Sequence, residues 1–310
     1  MTARRLEGRV LVTGAAGMLG SQLLLTVPPG IEALGTDLVA APSGNPPVER
    51  PGVDLTSPRA VEALLEDLRP LAGVIHAAAY TAVDKAEEEE ARARLANAEV
   101  PGVVAAACAR RGLALVHVST DFVFDGAKRE PYTTDDRPRP LSAYGRTKLE
   151  GEERVVAAHP GGAAIVRTQW LYGPRGKHFP GTILALAAQK PELRVVNDQI
   201  GSPTSTLELA PALWDVLAAR ASGFFHAACE GRASWYDFAA ATLALCARRT
   251  PVHPCTTREF PRPAQRPVFS VLDCARLTAL RGRPLAPWRE ALRDFLAHEG
   301  LLAITPAPSP

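Results

Sequence analysis

Short, mainly apolar runs along the chain alternate with longer segments that carry apolar residues at helical spacing. The runs lie at residues 9–13, 31–37, 71–76, 113–119 and 163–167 and are built mainly of Val, Leu, Ile and Ala. A strand apolar at successive positions has both faces covered, as in a parallel sheet between two helical layers. The intervening segments repeat apolar residues three and four apart, so each strand is followed by a helix. This alternation predicts an α/β fold, a doubly wound parallel sheet of Rossmann type. Beyond residue 168 the regularity fades. A strand near 193–196, a polar loop at 197–204, a strand at 224–228 and helices around 207–219, 234–248 and 287–298 remain. The proline-rich end, 303–310, is expected to be disordered.

The turns between these elements carry the first chemical signals. Gly14-Ala15-Ala16-Gly17-Met18-Leu19-Gly20 joins the first strand to a helix expected from Ser21. Glycines there let the backbone turn tightly and approach a pyrophosphate, which sits on the positive end of the helix dipole. Gly14, Gly17, Met18, Leu19 and Gly20 are therefore candidate dinucleotide contacts. Asp37 ends the second strand, where an acid either accepts the adenosine ribose hydroxyls or is a plain loop carboxylate. Asp54 and Leu55 end a short strand expected at 53–55, before a helix opened by Ser57-Pro58. Asp54 meets an adenine edge or caps that helix. Ala77, Ala78 and Ala79 follow the 71–76 strand and are small enough for a cofactor to lie against the backbone. The chain thus divides into a mainly dinucleotide-binding part, 1–168, and a smaller mixed α/β part, 169–302, that closes over it with some exchange of chain.

Candidate catalytic groups gather around the later strands. Ser119-Thr120-Asp121 ends the central 113–119 run, at the crevice where doubly wound sheets bind ligands. His117 points inward within that run and reads as core. Ser142 can cap a helix whose apolar side is Leu149, Val155 and Val156. Tyr144 and Lys148 are four apart on it, about 5–6 Å between Cβ atoms. An ammonium beside a phenol favours phenolate, so a proton can be exchanged with a substrate hydroxyl or carbonyl near neutral pH. The run Glu87-Glu88-Glu89-Glu90 reads as the solvated first turn of a helix reaching Arg111. Consecutive carboxylates on a helix point in different directions, so no metal is assigned to it.

Composition narrows the class. With 46% hydrophobic and 22% charged residues the chain is globular, and a net charge of +2 offers no electrostatic case for nucleic acid or an anionic membrane. Five scattered cysteines with no CxxC pair fit a reducing compartment. No apolar run is long enough to span a bilayer, so a cytoplasmic protein is expected.

Together the motifs resemble the extended short-chain dehydrogenase/reductase superfamily and, within it, the dTDP-4-dehydrorhamnose reductase family. The carriers are GAAGMLG (14–20), AAAYTAVDKAE (77–87), VSTDFVFDG (118–126), AYGRTK (143–148), RTQWLYG (167–173), NDQIGSPT (197–204) and Arg266-Pro267 with Ser270. The resemblance implies NAD(P)H-dependent reduction of the 4-keto group of a dTDP-sugar. It makes Tyr144 the proton donor and Lys148 the residue that lowers its pKa and binds the nicotinamide ribose. Thr120 then bonds the keto oxygen, and Asp121 and Trp170 lie by the substrate. Either NADH or NADPH serves members of this family. Here Asp37, followed by Leu38-Val39-Ala40-Ala41 with no arginine, favours NADH, although Arg4, Arg5 and Arg50 are candidates for reading a 2′-phosphate. Gln22 stands where some members carry a glutamate tied to a magnesium-dependent dimer, so neither metal nor that form of homodimer is supported by the residues. Phe122 replaces a common tyrosine. Another nucleotide-sugar epimerase or dehydratase is the alternative, although no further acid/base pair follows Thr120. A non-catalytic subunit resembling the beta subunit of methionine adenosyltransferase is the other, and would be expected to lack Thr120, Tyr144 or Lys148.

Overall fold

The computed structural model describes residues 7–303, so Arg4, Arg5 and all of the tail after Ala303 lie outside the described residues. The first half of the chain forms β1 (Gly8–Thr13), α1 (Met18–Leu25), β2 (Ile31–Asp37), β3 (Arg50–Pro51), α2 (Pro58–Asp67), β4 (Leu71–His76), α3 (Glu90–Arg94), α4 (Val100–Arg111), β5 (Ala114–Thr120), α5 (Ala143–Ala158) and β6 (Ala163–Thr168). The second half adds β7 (Leu171–Tyr172), α6 (Phe179–Ala187), β8 (Leu193–Val196), β9 (Ile200–Gly201), β10 (Thr204–Ser205), α7 (Thr206–Ala218), β11 (Gly223–His226), β12 (Ala233–Ser234), α8 (Trp235–Leu245), β13 (Val252–Cys255), α9 (Ala275–Arg281) and α10 (Trp288–His298).

Seven parallel strands make one sheet in the order β11-β6-β5-β4-β1-β2-β3. Strand order reverses between β1 and β4, and a crevice opens at their carboxyl ends. One face is sealed by α1 and α7 through Leu19, Leu23, Leu209, Leu213 and Trp214, and the other by α2, α4 and α5 through Val61, Leu65, Val104 and Val155. Coverage of both faces explains why β1, β4, β5 and β6 are mostly buried and read as apolar runs. β11, which joins this sheet, and α7, which packs on it, come from beyond residue 168. What remains of the second half is a small unit in which β8 pairs with β13 and α6 packs with α8 around Ile183, Leu193, Ala239 and Leu243.

Several local expectations change. Helix α1 starts at Met18, one turn before Ser21, with Gly17 as its cap residue. The strand expected at 53–55 lies instead at Arg50–Pro51, because Gly52, at φ +77°, turns the chain away. The long helix expected from the acidic run to Arg111 starts only at Glu90, after a 3₁₀ turn at Lys85–Glu87, and runs on to Arg111 through α3, a π turn at Leu95–Glu99 and α4. Val156 is exposed, so the buried side of α5 is made by Ala143, Tyr144, Thr147, Lys148, Gly151 and Val155. No helix among the described residues is long and apolar enough to cross a membrane.

Candidate active site

The glycine turn is held by close packing at the head of the crevice. Gly14 adopts φ +69°, and a Cβ on it would sit 2.6 Å from the Ala78 nitrogen, so the turn lies against the Ala77–Ala78 backbone. A Cβ on Gly20 would sit 2.0 Å from the Gly14 carbonyl oxygen. The first intrahelical bond of α1 is donated by Ser21 to Gly17, and no side chain caps Gly17. The amides at Met18, Leu19 and Gly20 therefore have no partner within the helix, an arrangement suited to a phosphate. These features fit a dinucleotide.

Around the turn, Thr13 Oγ1 lies 2.6 Å from His76 Nδ1 and accepts from Ala78 N at 3.3 Å, tying β1 to β4. The Asp37 carboxylate accepts the Ala16 amide at 3.0 Å, which fixes one oxygen toward the turn. Asp54 Oδ1 is held in a local turn, accepting the Thr56 amide at 2.9 Å and hydroxyl at 2.7 Å, while Ser57 caps α2. The capping role expected of Asp54 is thus taken by Ser57. Leu55 is buried in the α2 cluster and leaves only its backbone for a ligand.

Thr120 ends β5, and Tyr144 stands in the first turn of α5, capped by Ser142 accepting from Gly145 at 3.1 Å. A second anchor comes from the acidic run: Glu87 Oε1 accepts the Ala143 amide at 2.8 Å. Glu87 is therefore part of what positions Tyr144, not merely a solvated charge. Glu89 likewise takes the Tyr80 hydroxyl at 2.9 Å. Asn97, in the π turn, clamps both the amide and the carbonyl of Tyr80 and donates to Thr147 on α5. The Tyr144 ring meets Phe122 edge-on at 5.5 Å in a pocket lined by Ala86, Ala93 and Ala143.

The electrostatics differ from the simple Tyr–Lys picture. Burial pushes the Tyr144 phenol up to about 12, with the Asp121 charge adding to the rise and a hydrogen bond with Thr120 opposing it. Lys148 is buried and donates to the Val118 carbonyl at 2.7 Å. Burial lowers it to about 8, and the Glu152 charge pulls the other way. Its field falls on His76 and His117, whose rings stack at 5.4 Å and which burial keeps neutral at physiological pH. The depressed tyrosine expected from the spacing is thus not found: an ammonium turned onto a backbone carbonyl does not offset the loss of water around the phenol.

Beneath the site, Arg167 of β6 and Glu152 of α5 form a two-point ion pair, with Ser119 donating to the same carboxylate at 2.6 Å. Asp121, also buried, takes the Thr120 hydroxyl at 3.0 Å, and burial raises its carboxyl to about 7. Gln169 receives the Ser202 amide and the Ser270 hydroxyl. Trp170 has φ +49° and stacks on Trp235 at 3.6 Å, with Gly201 directly against the indole. The structure therefore brings Thr120, Asp121, Tyr144 and Lys148 together and sets Trp170 on the wall formed with the second half. Among the described residues no cluster suited to a metal ion occurs, and Gln22 is bonded to Arg175 at 2.6 Å. Glu87, Asn97, Glu152, Arg167 and Gln169 were not singled out by their spacing.

Residues 8–300 match the family model described as the RmlD substrate binding domain. A dTDP-4-dehydrorhamnose reductase of Mycolicibacterium smegmatis is 42% identical over 93% of this chain and 85% of its own. A protein of Streptomyces antibioticus named as a probable dTDP-4,6-dihydroxy-2-methyloxan-3-one 4-ketoreductase is 42% identical over 94% and 97%. The crystal structure of a dTDP-4-dehydrorhamnose reductase from Bacillus anthracis in complex with NADP superposes with a TM-score of 0.86 at 34% identity, covering 94% of this chain and 99% of that one.

Proposed function

The chain belongs to the dTDP-4-dehydrorhamnose reductase family of the extended short-chain dehydrogenases, and from that membership we propose that it is an NAD(P)H-dependent oxidoreductase reducing the 4-keto group of dTDP-4-dehydro-β-L-rhamnose to give dTDP-β-L-rhamnose. The observation that carries this reading is the meeting of Thr120, Tyr144 and Lys148 beside a glycine cradle at the point where strand order reverses.

The cradle of Gly14, Gly17, Met18, Leu19 and Gly20 holds the pyrophosphate, Ala77–Ala79 line the nicotinamide end, and Lys148 serves the ribose. When bound, the nicotinamide supplies the hydride to C4 of the sugar. Thr120 orients the keto oxygen by a hydrogen bond, and Tyr144 donates its proton as negative charge develops there. A phenol raised to about 12 is fully protonated at neutral pH and ready to donate. Lys148, one turn after Tyr144 on α5 and charged below about 8, stabilises the phenolate left behind. Asp121 and Trp170 contact the sugar.

On the cofactor, Asp37 favours NADH, used at least as well as NADPH. Its carboxylate faces the glycine turn, and residues 38–41 are neutral, so a 2′-phosphate would meet repulsion without a partner. Arg50 lies across from Thr36 on β3, one position from Asp37, but its guanidinium bonds the Glu49 carbonyl.

Equal identity to the Streptomyces relative favours a second reading, a dTDP-linked 4-keto sugar with one ring hydroxyl fewer. The test is to follow nicotinamide absorbance with each sugar and each cofactor. Sugar-dependent oxidation that is fastest with dTDP-4-dehydro-β-L-rhamnose supports the first reading, faster turnover of the deoxy sugar supports the second, and none with either rejects both.

A further inference from the structure

A segment of the second half, residues 262–270, runs as a strap across the mouth of the site. At one end the Asp84 carboxylate, in the loop after β4, takes a fork of bonds from Arg266, Nη1 to Oδ1 and Nη2 to Oδ2 at 3.0 Å each. It also accepts the Ala264 amide at 3.3 Å, with Arg262 farther out at 3.8 Å. Arg266 folds its Nη1 back onto the Ala264 carbonyl at 2.9 Å, which tightens the strap around the pair. Past Arg266, Pro267 and Val268 cross Gly126 so closely that a Cβ there would sit 2.6 Å from the Val268 nitrogen. At the far end, Ser270 is held by the Ile200 carbonyl at 2.8 Å and the Val271 carbonyl by the Tyr132 amide at 2.8 Å. The Ser270 hydroxyl donates to Gln169 Oε1 at 3.2 Å.

The two ends are secured differently. Residues 270–271 are pinned by backbone bonds, whereas residues 258–263 are exposed, and the Asp84–Arg266 fork is what ties the near end to the nucleotide-binding half. We propose that Asp84 and Arg266 are positioning residues: their fork seats the strap so that the Ser270 hydroxyl stays on Gln169, on the wall of the site that carries Trp170. The kinetic part of this proposal rests on the reductase reading above.

The consequence is positional. Gln169 Oε1 takes both the Ser270 hydroxyl and the Ser202 amide, and Trp170 follows it directly in the chain. A strap that drifts by a fraction of an ångström loses the Ser270 bond and frees the Gln169 side chain beside Trp170.

The test compares Asp84→Asn, Ser270→Ala and the double variant with the wild type. Asp84→Asn keeps the size of the side chain and removes the ion pair. Hydrogen exchange of the free protein, which needs no substrate, should show faster exchange at residues 264–270 in Asp84→Asn and unchanged protection in β1, β4 and β5. With the dTDP-sugar, kcat/KM should fall about tenfold while NADH affinity measured by fluorescence stays the same. The losses in kcat/KM of the two single variants should not add: the double variant should fall no further than the larger of them. Arg266→Lys, which keeps the charge but not the fork, should recover part of the loss seen in Arg266→Ala. Wild-type exchange at the strap in Asp84→Asn, or additive losses of kcat/KM in the double variant, would overturn the latch. A wild-type protein inert toward the dTDP-sugar would reject the reductase reading instead, and the exchange experiment would still decide the latch.

Discussion

Glu152→Gln is the substitution whose effect can be worked out most fully. Glu152 and Arg167 are 1% and 3% exposed, and they bond at 2.9 Å and 2.6 Å. The guanidinium lies over Phe124 at 5.0 Å and Phe224 at 4.6 Å, so water does not replace a lost partner. Removing one member of a buried pair strands the other charge and costs about 3–5 kcal/mol. With an unfolding entropy of about 2.1 cal/mol/K per residue over 310 residues, this lowers Tm by about 5–8 °C. A second effect reaches the site, since Glu152 stands one turn after Lys148 and its charge supports the ammonium. Lys148 is charged below about 8 and neutral above it; without the carboxylate that transition moves to lower pH. The basic limb of kcat/KM should therefore shift downward. Scanning calorimetry and a pH–rate profile measure the two effects. The double variant Glu152→Leu/Arg167→Met should regain most of the stability, because both charges are gone, yet keep the shifted limb. A single variant within about 2 °C of wild type, with its basic limb unmoved, would refute both the buried pair and its link to Lys148.

Three further outcomes are expected. Tyr144→Phe should keep NADH binding and lose about 10²–10⁴-fold in kcat; near wild-type turnover would remove Tyr144 from the mechanism. Asp37→Ala should shift preference toward NADPH, read as kcat/KM for both cofactors, whereas a wild-type preference for NADPH of about tenfold, or 1.4 kcal/mol, would mean that an arginine reads the 2′-phosphate. Trp170→Ala should raise KM for the dTDP-sugar and cost about 0.5–1.5 kcal/mol from the lost stack on Trp235 beyond the area term, and a change in cofactor Kd instead would place the indole at the nicotinamide.

Much of the fold and part of the site were legible because they are local. An unbroken apolar run reports a strand covered on both sides, Ser57 and Ser142 report helix starts, and glycines at 14, 17 and 20 report a tight turn; each depends on neighbours within a few residues. The family motifs extended this to Thr120, Tyr144 and Lys148 as a set. Spacing could also place Tyr144 and Lys148 on one helix face.

Tertiary structure alone decided what those side chains meet. Lys148 turns to the Val118 carbonyl and faces two histidines, and the phenol is raised rather than lowered, because burial is a property of the packed interior and not of a four-residue interval. The acidic run supplies Glu87 to the start of α5 across 56 positions, and Arg266 finds Asp84 across 182. Glu152 and Arg167 sit in different elements whose approach follows from the sheet order. The carboxylates and guanidiniums in these pairs look alike along the chain, exposed or buried. Which of them pair is settled only when the apolar faces have docked, since that is what brings distant segments within hydrogen-bond range and removes the water that would otherwise satisfy them.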